Sequence, residues 1–182
     1  DEVEELLKEV EELAREIVER LEKNLRDTKK LIDEIEEYAR RNEERTRKLI
    51  EEAERLARRG DKSDDLKREV EKLLKESEDN VERLIRELEK LLEESRRNVK
   101  RIIDELRKRL DDVRRRLEER RADEELERRL RRLLEELERR LKRLEDEHRR
   151  LVEEVRDKLR KIEETHREIV ERVRRTLDEE KR

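Results

Sequence analysis

The chain contains no proline, cysteine, methionine, tryptophan or phenylalanine, and only one glycine and one tyrosine. Without cysteine there is no disulfide, no thiolate chemistry and no redox compartment to infer. A single glycine cannot form the loop that cradles a phosphate. No apolar run is long enough for a signal peptide or a membrane span, so no targeting or transmembrane segment is expected. Neither sign of charge dominates: 55 Lys and Arg are mixed with 59 Asp and Glu, for a net charge of −4. Nucleic acid would need a basic face, and a membrane surface a basic amphipathic one. The pattern offers neither.

What remains is largely Leu, Ile, Val, Glu, Lys and Arg, which are helix formers and core aliphatics. Charged residues make up 63% of the 182 positions and apolar residues 30%. Composition of that kind can signal disorder, but here the apolar residues recur at strict helical spacing. From Val3 through Leu6, Val10, Leu13, Ile17 and Leu21 to Leu56 they form one stripe of an amphipathic helix. Gly60 then serves as a left-handed C-cap. Asp61 and Lys62 continue the turn, Ser63 caps the next helix, and Asp64 and Asp65 complement its dipole.

The second stripe runs from Val70 to Leu117. Beyond it the pattern resumes at Leu126, Leu130, Leu133, Leu134 and Leu137, one position out of phase, or roughly 100° around a helix. A turn near Arg121 and Ala122 accounts for the slip, with Asp123 as N-cap and Glu124 and Glu125 in the first turn. The spacing predicts an all-α, antiparallel up-down-up three-helix bundle forming a single domain over 1–182. Its helices cover about 2–59, 64–120 and 124–181, each roughly 87 Å long. Short connections make consecutive helices antiparallel neighbours.

Polar residues repeat at a fixed interval along these stripes. Eighteen positions separate Asn24 from Asn42, Thr28 from Thr46, Ser77 from Ser95, Asn80 from Asn98, and His148 from His166. That is five turns of an α-helix, about 27 Å. Antiparallel pairing across a turn joins residues whose numbers have a constant sum. Asn24 with Asn98 and Asn42 with Asn80 give 122, while Thr28 with Ser95 and Thr46 with Ser77 give 123. Asn98 with His148 and Asn80 with His166 give 246. Half of each sum falls at a proposed turn. Two buried polar layers are therefore expected: Asn24, Thr28, Ser95, Asn98 and His148 in one, and Asn42, Thr46, Ser77, Asn80 and His166 in the other. Clustered at one height, such groups satisfy one another, and a slipped helix would set them against Leu.

Candidates for chemistry are few. The three serines, Ser63, Ser77 and Ser95, are a cap and two layer residues. The carboxylates fall at i, i+4 spacing to Lys and Arg, as in Glu4 to Lys8 and Glu16 to Arg20, which supports a helix. One His per layer beside Asn, Thr and Ser is a poor zinc set. Thr165 and Thr176 lack repeat mates, and Tyr38 lies at the stripe edge. The expectation is therefore not an enzyme: no catalytic, cofactor-binding or metal-binding residues, no cofactor, and no obligatory partner.

The segments Lys23–Arg40 and Arg41–Arg58 are near copies, Ser-x-x-Asn-Val occurs at Ser77 and Ser95, and the surface is almost entirely Glu, Lys and Arg. Over its whole length the sequence resembles de novo designed, parametrically generated helical bundles with modular buried hydrogen-bond networks. Spectrin-like repeats are similar only in outline, and their core aromatics are absent here. An 18-residue period implies nearly straight helices, where a strict heptad would supercoil them. The resemblance implies a soluble synthetic scaffold with no natural biochemical function. It is expected to be monomeric, because each stripe is narrow and the layers close across three helices. The alternatives are a subunit of a designed oligomer or filament, using Val18, Leu91, Val152 and Val170 at the stripe edges, and a bundle that responds to pH through His148 and His166.

Overall fold

A computed structural model describes residues 2–58, 64–119 and 124–179 (the side chains of 53, 54, 56–58, 66 and 179 excepted). Among these the structure is helical and contains no strand. The first helix comprises α1 (Glu2–Glu16), a π-helical segment (Ile17–Glu22) and α2 (Lys23–Arg58). The second and third are α3 (Asp64–Glu118) and α4 (Glu124–Glu179). Asp64 and Asp65 open α3, and Glu124, Glu125 and Glu127 open α4, where carboxylates meet the positive end of the dipole. The turns expected at Gly60, Asp61, Lys62 and Ser63, and at Arg121, Ala122 and Asp123, lie outside the described residues.

The apolar stripe alone predicts no π segment, although its cause is visible in the spacing. Leu13, Ile17, Leu21 and Leu25 follow one another by three successive steps of four. On an ideal α-helix each such step overshoots a turn by about 40°, so Leu25 would point about 120° away from Leu13. A wider turn, with i→i+5 bonding, removes that drift. All four side chains are buried. The backbone remains right-handed helical on both sides of the segment, at Glu16 and Lys23.

The chain divides into two compact units, each drawing on all three helices, where the sequence suggests one domain. Unit 1 comprises 1–30 and 92–153, and unit 2 comprises 31–91 and 154–182. The core of unit 1 is aliphatic, with Leu6, Ile17, Leu106, Leu130 and Leu141 fully enclosed. In unit 2, Ile35, Leu74 and Val173 are equally enclosed, and Val70, Leu74, Val170 and Val173 form a cluster against which Ile50 and Leu177 pack. Of the stripe-edge residues, Val152 and Val170 belong to the core, Val18 is half-buried, and Leu91 is exposed.

Ion pairs between helices border the core. In unit 1, Arg20 meets Glu105 at 3.0 Å, Arg116 meets Glu9 at 2.9 Å, and Arg109 meets Glu16. The i, i+4 pairing expected of Glu16 and Arg20 thus gives way to bonds across the helix seam. Both residues sit at the stripe edge, within reach of α3. No bond joins Glu4 to Lys8 among the described residues. Pairs within a helix do form elsewhere, for example Arg41 with Glu37 and Arg131 with Glu127.

Candidate functional site

The two expected layers fall one in each unit. In unit 1, Thr28 on α2 and His148 on α4 are buried, while Asn24, Ser95 and Asn98 are half-buried. The Thr28 hydroxyl donates to the Asn24 carbonyl one turn back, at 2.8 Å. Threonine commonly turns this way inside a helix, onto its own backbone. Ser95 Oγ lies 3.5 Å from Thr28 Oγ1 and 3.2 Å from His148 Nε2. Each hydroxyl has one proton. Since that of Thr28 is committed to Asn24, Ser95 must donate to Thr28 for the longer contact to hold a proton at all. On that arrangement Ser95 accepts from His148 and the imidazole proton sits on Nε2. The donors of that arrangement run one way: His148 to Ser95, Ser95 to Thr28, Thr28 to the Asn24 carbonyl.

Unit 2 repeats the plan with one link missing. Thr46 and His166 are buried, and Asn42 and Ser77 are half-buried. Thr46 donates to the Asn42 carbonyl at 2.6 Å, and Ser77 Oγ lies 2.9 Å from His166 Nε2. Among the described residues no hydrogen bond joins Thr46 to Ser77, so nothing in the layer assigns the direction of the Ser77–His166 bond.

The asparagines depart from expectation. Asn80 is exposed rather than buried. No side-chain amide of Asn24, Asn42, Asn80 or Asn98 makes a hydrogen bond to another described residue; Asn24 and Asn42 enter only through their backbone carbonyls. Equal height along an antiparallel pair does not ensure contact across the seam. Thr165 is half-buried. Thr176 repeats the backward bond, onto the Arg172 carbonyl at 3.0 Å.

Burial depresses both imidazoles below the ordinary histidine pKa by disfavouring their charged form. Arg96 depresses His148 further, whereas Glu78 partly counteracts the effect at His166. No cluster of three or more His, Cys, Asp or Glu is arranged to hold a metal ion among the described residues. No described helix is long and apolar enough to cross a membrane. Chemically, then, the layers offer hydroxyl–imidazole hydrogen bonds between helices and two weakened bases.

No family model and no curated protein matches the chain. Among solved structures, a protein described as a computationally designed three-helix bundle is similar over 99% of this chain and 92% of that one. Its TM-score is 0.55 and its sequence identity 20%. At that identity the likeness speaks to the fold alone: the chain has the architecture of a three-helix bundle.

Proposed function

We propose that the chain is a designed structural scaffold, without a natural biochemical activity, whose two polar layers specify helix register. The observation that carries this reading is the pair of Ser–His hydrogen bonds. Ser95–His148 and Ser77–His166 both link α3 to α4, at 3.2 and 2.9 Å, and both partners shift by the same 18 positions. An apolar stripe tolerates sliding, because Leu against Leu is much the same one or two turns along. A buried imidazole facing Leu would instead forfeit its hydrogen bond, at a cost of about 1–3 kcal/mol. The designed neighbour with the same fold supports the scaffold reading. The carboxylates, which in an enzyme could serve as acids or bases, are mostly exposed and paired with Lys or Arg where they are bonded.

The test replaces both links with apolar groups, as Ser77→Ala/Ser95→Ala/His148→Leu/His166→Leu. The account expects stability to be kept or raised, since removing both partners of a buried polar pair can be neutral or better. It also expects the single set of amide resonances to broaden or multiply. One sharp set in the variant would mean that apolar packing alone fixes the register.

A second reading, a bundle that loosens in acid, draws on the depressed pKa of both buried imidazoles. It shares the same residues as the register reading.

A further inference from the structure

The seam between the first helix and α3 is built differently in the two units. In unit 1 it is strapped by Arg20–Glu105, Arg109–Glu16 and Arg116–Glu9. The residue numbers of each pair add to 125, so all three straps lie along one edge. Moving one 18-residue repeat into unit 2 keeps the acids and removes the cations. Glu34 and Glu87 occupy the positions of Glu16 and Glu105, but Leu91 replaces Arg109 and Tyr38 replaces Arg20. A second repeat along α3 brings Leu73 to the same position. Among the described residues no ion pair joins α2 to α3 in unit 2.

The consequence is an apolar strip. Leu73 and Leu91 are 37% and 50% exposed, and no other large hydrophobic in the described chain is as open to water. Leu31, Tyr38, Leu49 and Leu84 are half-buried along the same seam. Between Tyr38 and Leu84 lies a groove of about 280 Å³, with Ile35 and Leu88 also lining it. Asn80 lies within the strip, exposed and without a hydrogen bond to a described residue.

We propose that this α2–α3 seam of unit 2 is the interface of a two-fold symmetric dimer of the chain. The occupant follows from the chemistry of the strip. An Asn amide both donates and accepts, so two copies of Asn80 brought together can satisfy each other. An apolar partner would leave them unpaired. The borders of the strip carry both signs, which suits a copy of the same surface better than a partner of one charge. With the two-fold axis along the seam, α2 of one copy lies against α3 of the other at the same height. At matching height Lys48 then opposes Glu76 of the second copy and Glu34 opposes Lys90, while Glu37 and Arg41 meet a mixed pair, Arg83 and Glu87. The four helices bury Leu31, Leu49, Leu73, Leu84 and Leu91 twice over. This inference is independent of the register reading, because a scaffold without selective layers could use the same seam.

The measurement is the absolute mass in solution by light scattering, from low to high micromolar concentration. The parent is expected to reach twice its 22.8 kDa. Leu73→Lys/Leu91→Lys, which changes only exposed positions, should halve that mass while leaving helicity by circular dichroism unchanged. The chain has no cysteine, so Asn80→Cys introduces a single thiol, which on oxidation should yield a reducible covalent dimer. A parent that stays at 22.8 kDa throughout would overturn the proposal. So would a dimer that survives the Lys substitutions, or an Asn80→Cys variant that dimerises without cross-linking.

Discussion

Thr28 has one hydroxyl proton and gives it to its own helix, and that choice sets the state of an imidazole two side chains away. Because Ser95 must then donate to Thr28, His148 is expected to carry its proton on Nε2 at neutral pH. Imidazole ¹⁵N shifts would check this: Nε2 should be pyrrole-like and Nδ1 pyridine-like, and the reverse pattern would break the chain of donors. Among the described residues no bond joins Thr46 to Ser77, so nothing in that layer fixes the His166 tautomer. At this scale the sequence was partly legible. The 18-residue spacing identified Thr28, Thr46, Ser77, Ser95 and both histidines as neighbours in two layers, and the structure joins Ser to His in each. The asparagines were not legible, because spacing fixes height along the helix but not separation across a seam. Asn80 and Asn98 have the same place in the repeat, yet one is exposed and the other half-buried.

Among the elements, the π segment separates what periodicity reveals from what it hides. The stripe gives the helix and its apolar face, and the slip beyond Leu117 gives the break before α4. The widened turn follows only if the three successive steps of four from Leu13 to Leu25 are taken as a constraint that an ideal helix cannot meet. It has a direct consequence. With the π turn, Leu21 is a core residue, 2% exposed, and Leu21→Ala should cost about 2–5 kcal/mol in a guanidinium melt. If the helix were α throughout, Leu21 would drift toward the stripe edge. A loss below about 0.5 kcal/mol, as for a surface substitution, would contradict the segment. The cross-helix straps were hidden for a related reason. Glu16 and Arg20 have the spacing of a pair within one helix, but each lies nearer to a counter-charge on α3. These straps are partly exposed, so water and salt screen them and each contributes little. Arg116→Gln should therefore leave the thermal midpoint close to the parent's, whereas a fall of many degrees would mean that Glu9 is less solvated than its surroundings indicate.

For the whole molecule, acid should act first through the two histidines. Their folded pKa values lie below the unfolded value, so their stabilising contribution is complete above about pH 6.5. It is lost as pH falls toward the folded values. Each unit of depression corresponds to about 1.36 kcal/mol. Glu36, Glu105 and Glu138, lowered by their bonds to Lys158, Arg20 and Arg114, lose theirs only below the ordinary carboxylate range. Comparing pH 7.5 with about pH 5 therefore isolates the imidazoles. The guanidinium midpoint of the parent should fall over that interval, and that of His148→Asn/His166→Asn should not. An equal fall in both would remove histidine as the cause. Idealised bundles tend to be hyperstable, so the expected result is weakening rather than acid unfolding. The whole account rests on the layers being energetic links between helices rather than polar groups tolerated inside them. The most direct test is a double-mutant cycle at each layer, with Ser95→Ala and His148→Ala in one and Ser77→Ala and His166→Ala in the other. The account predicts a coupling of about 0.5–3 kcal/mol in both cycles. Additivity within about 0.5 kcal/mol would show that Ser and His do not act on each other, and would contradict the claim that these layers set the register.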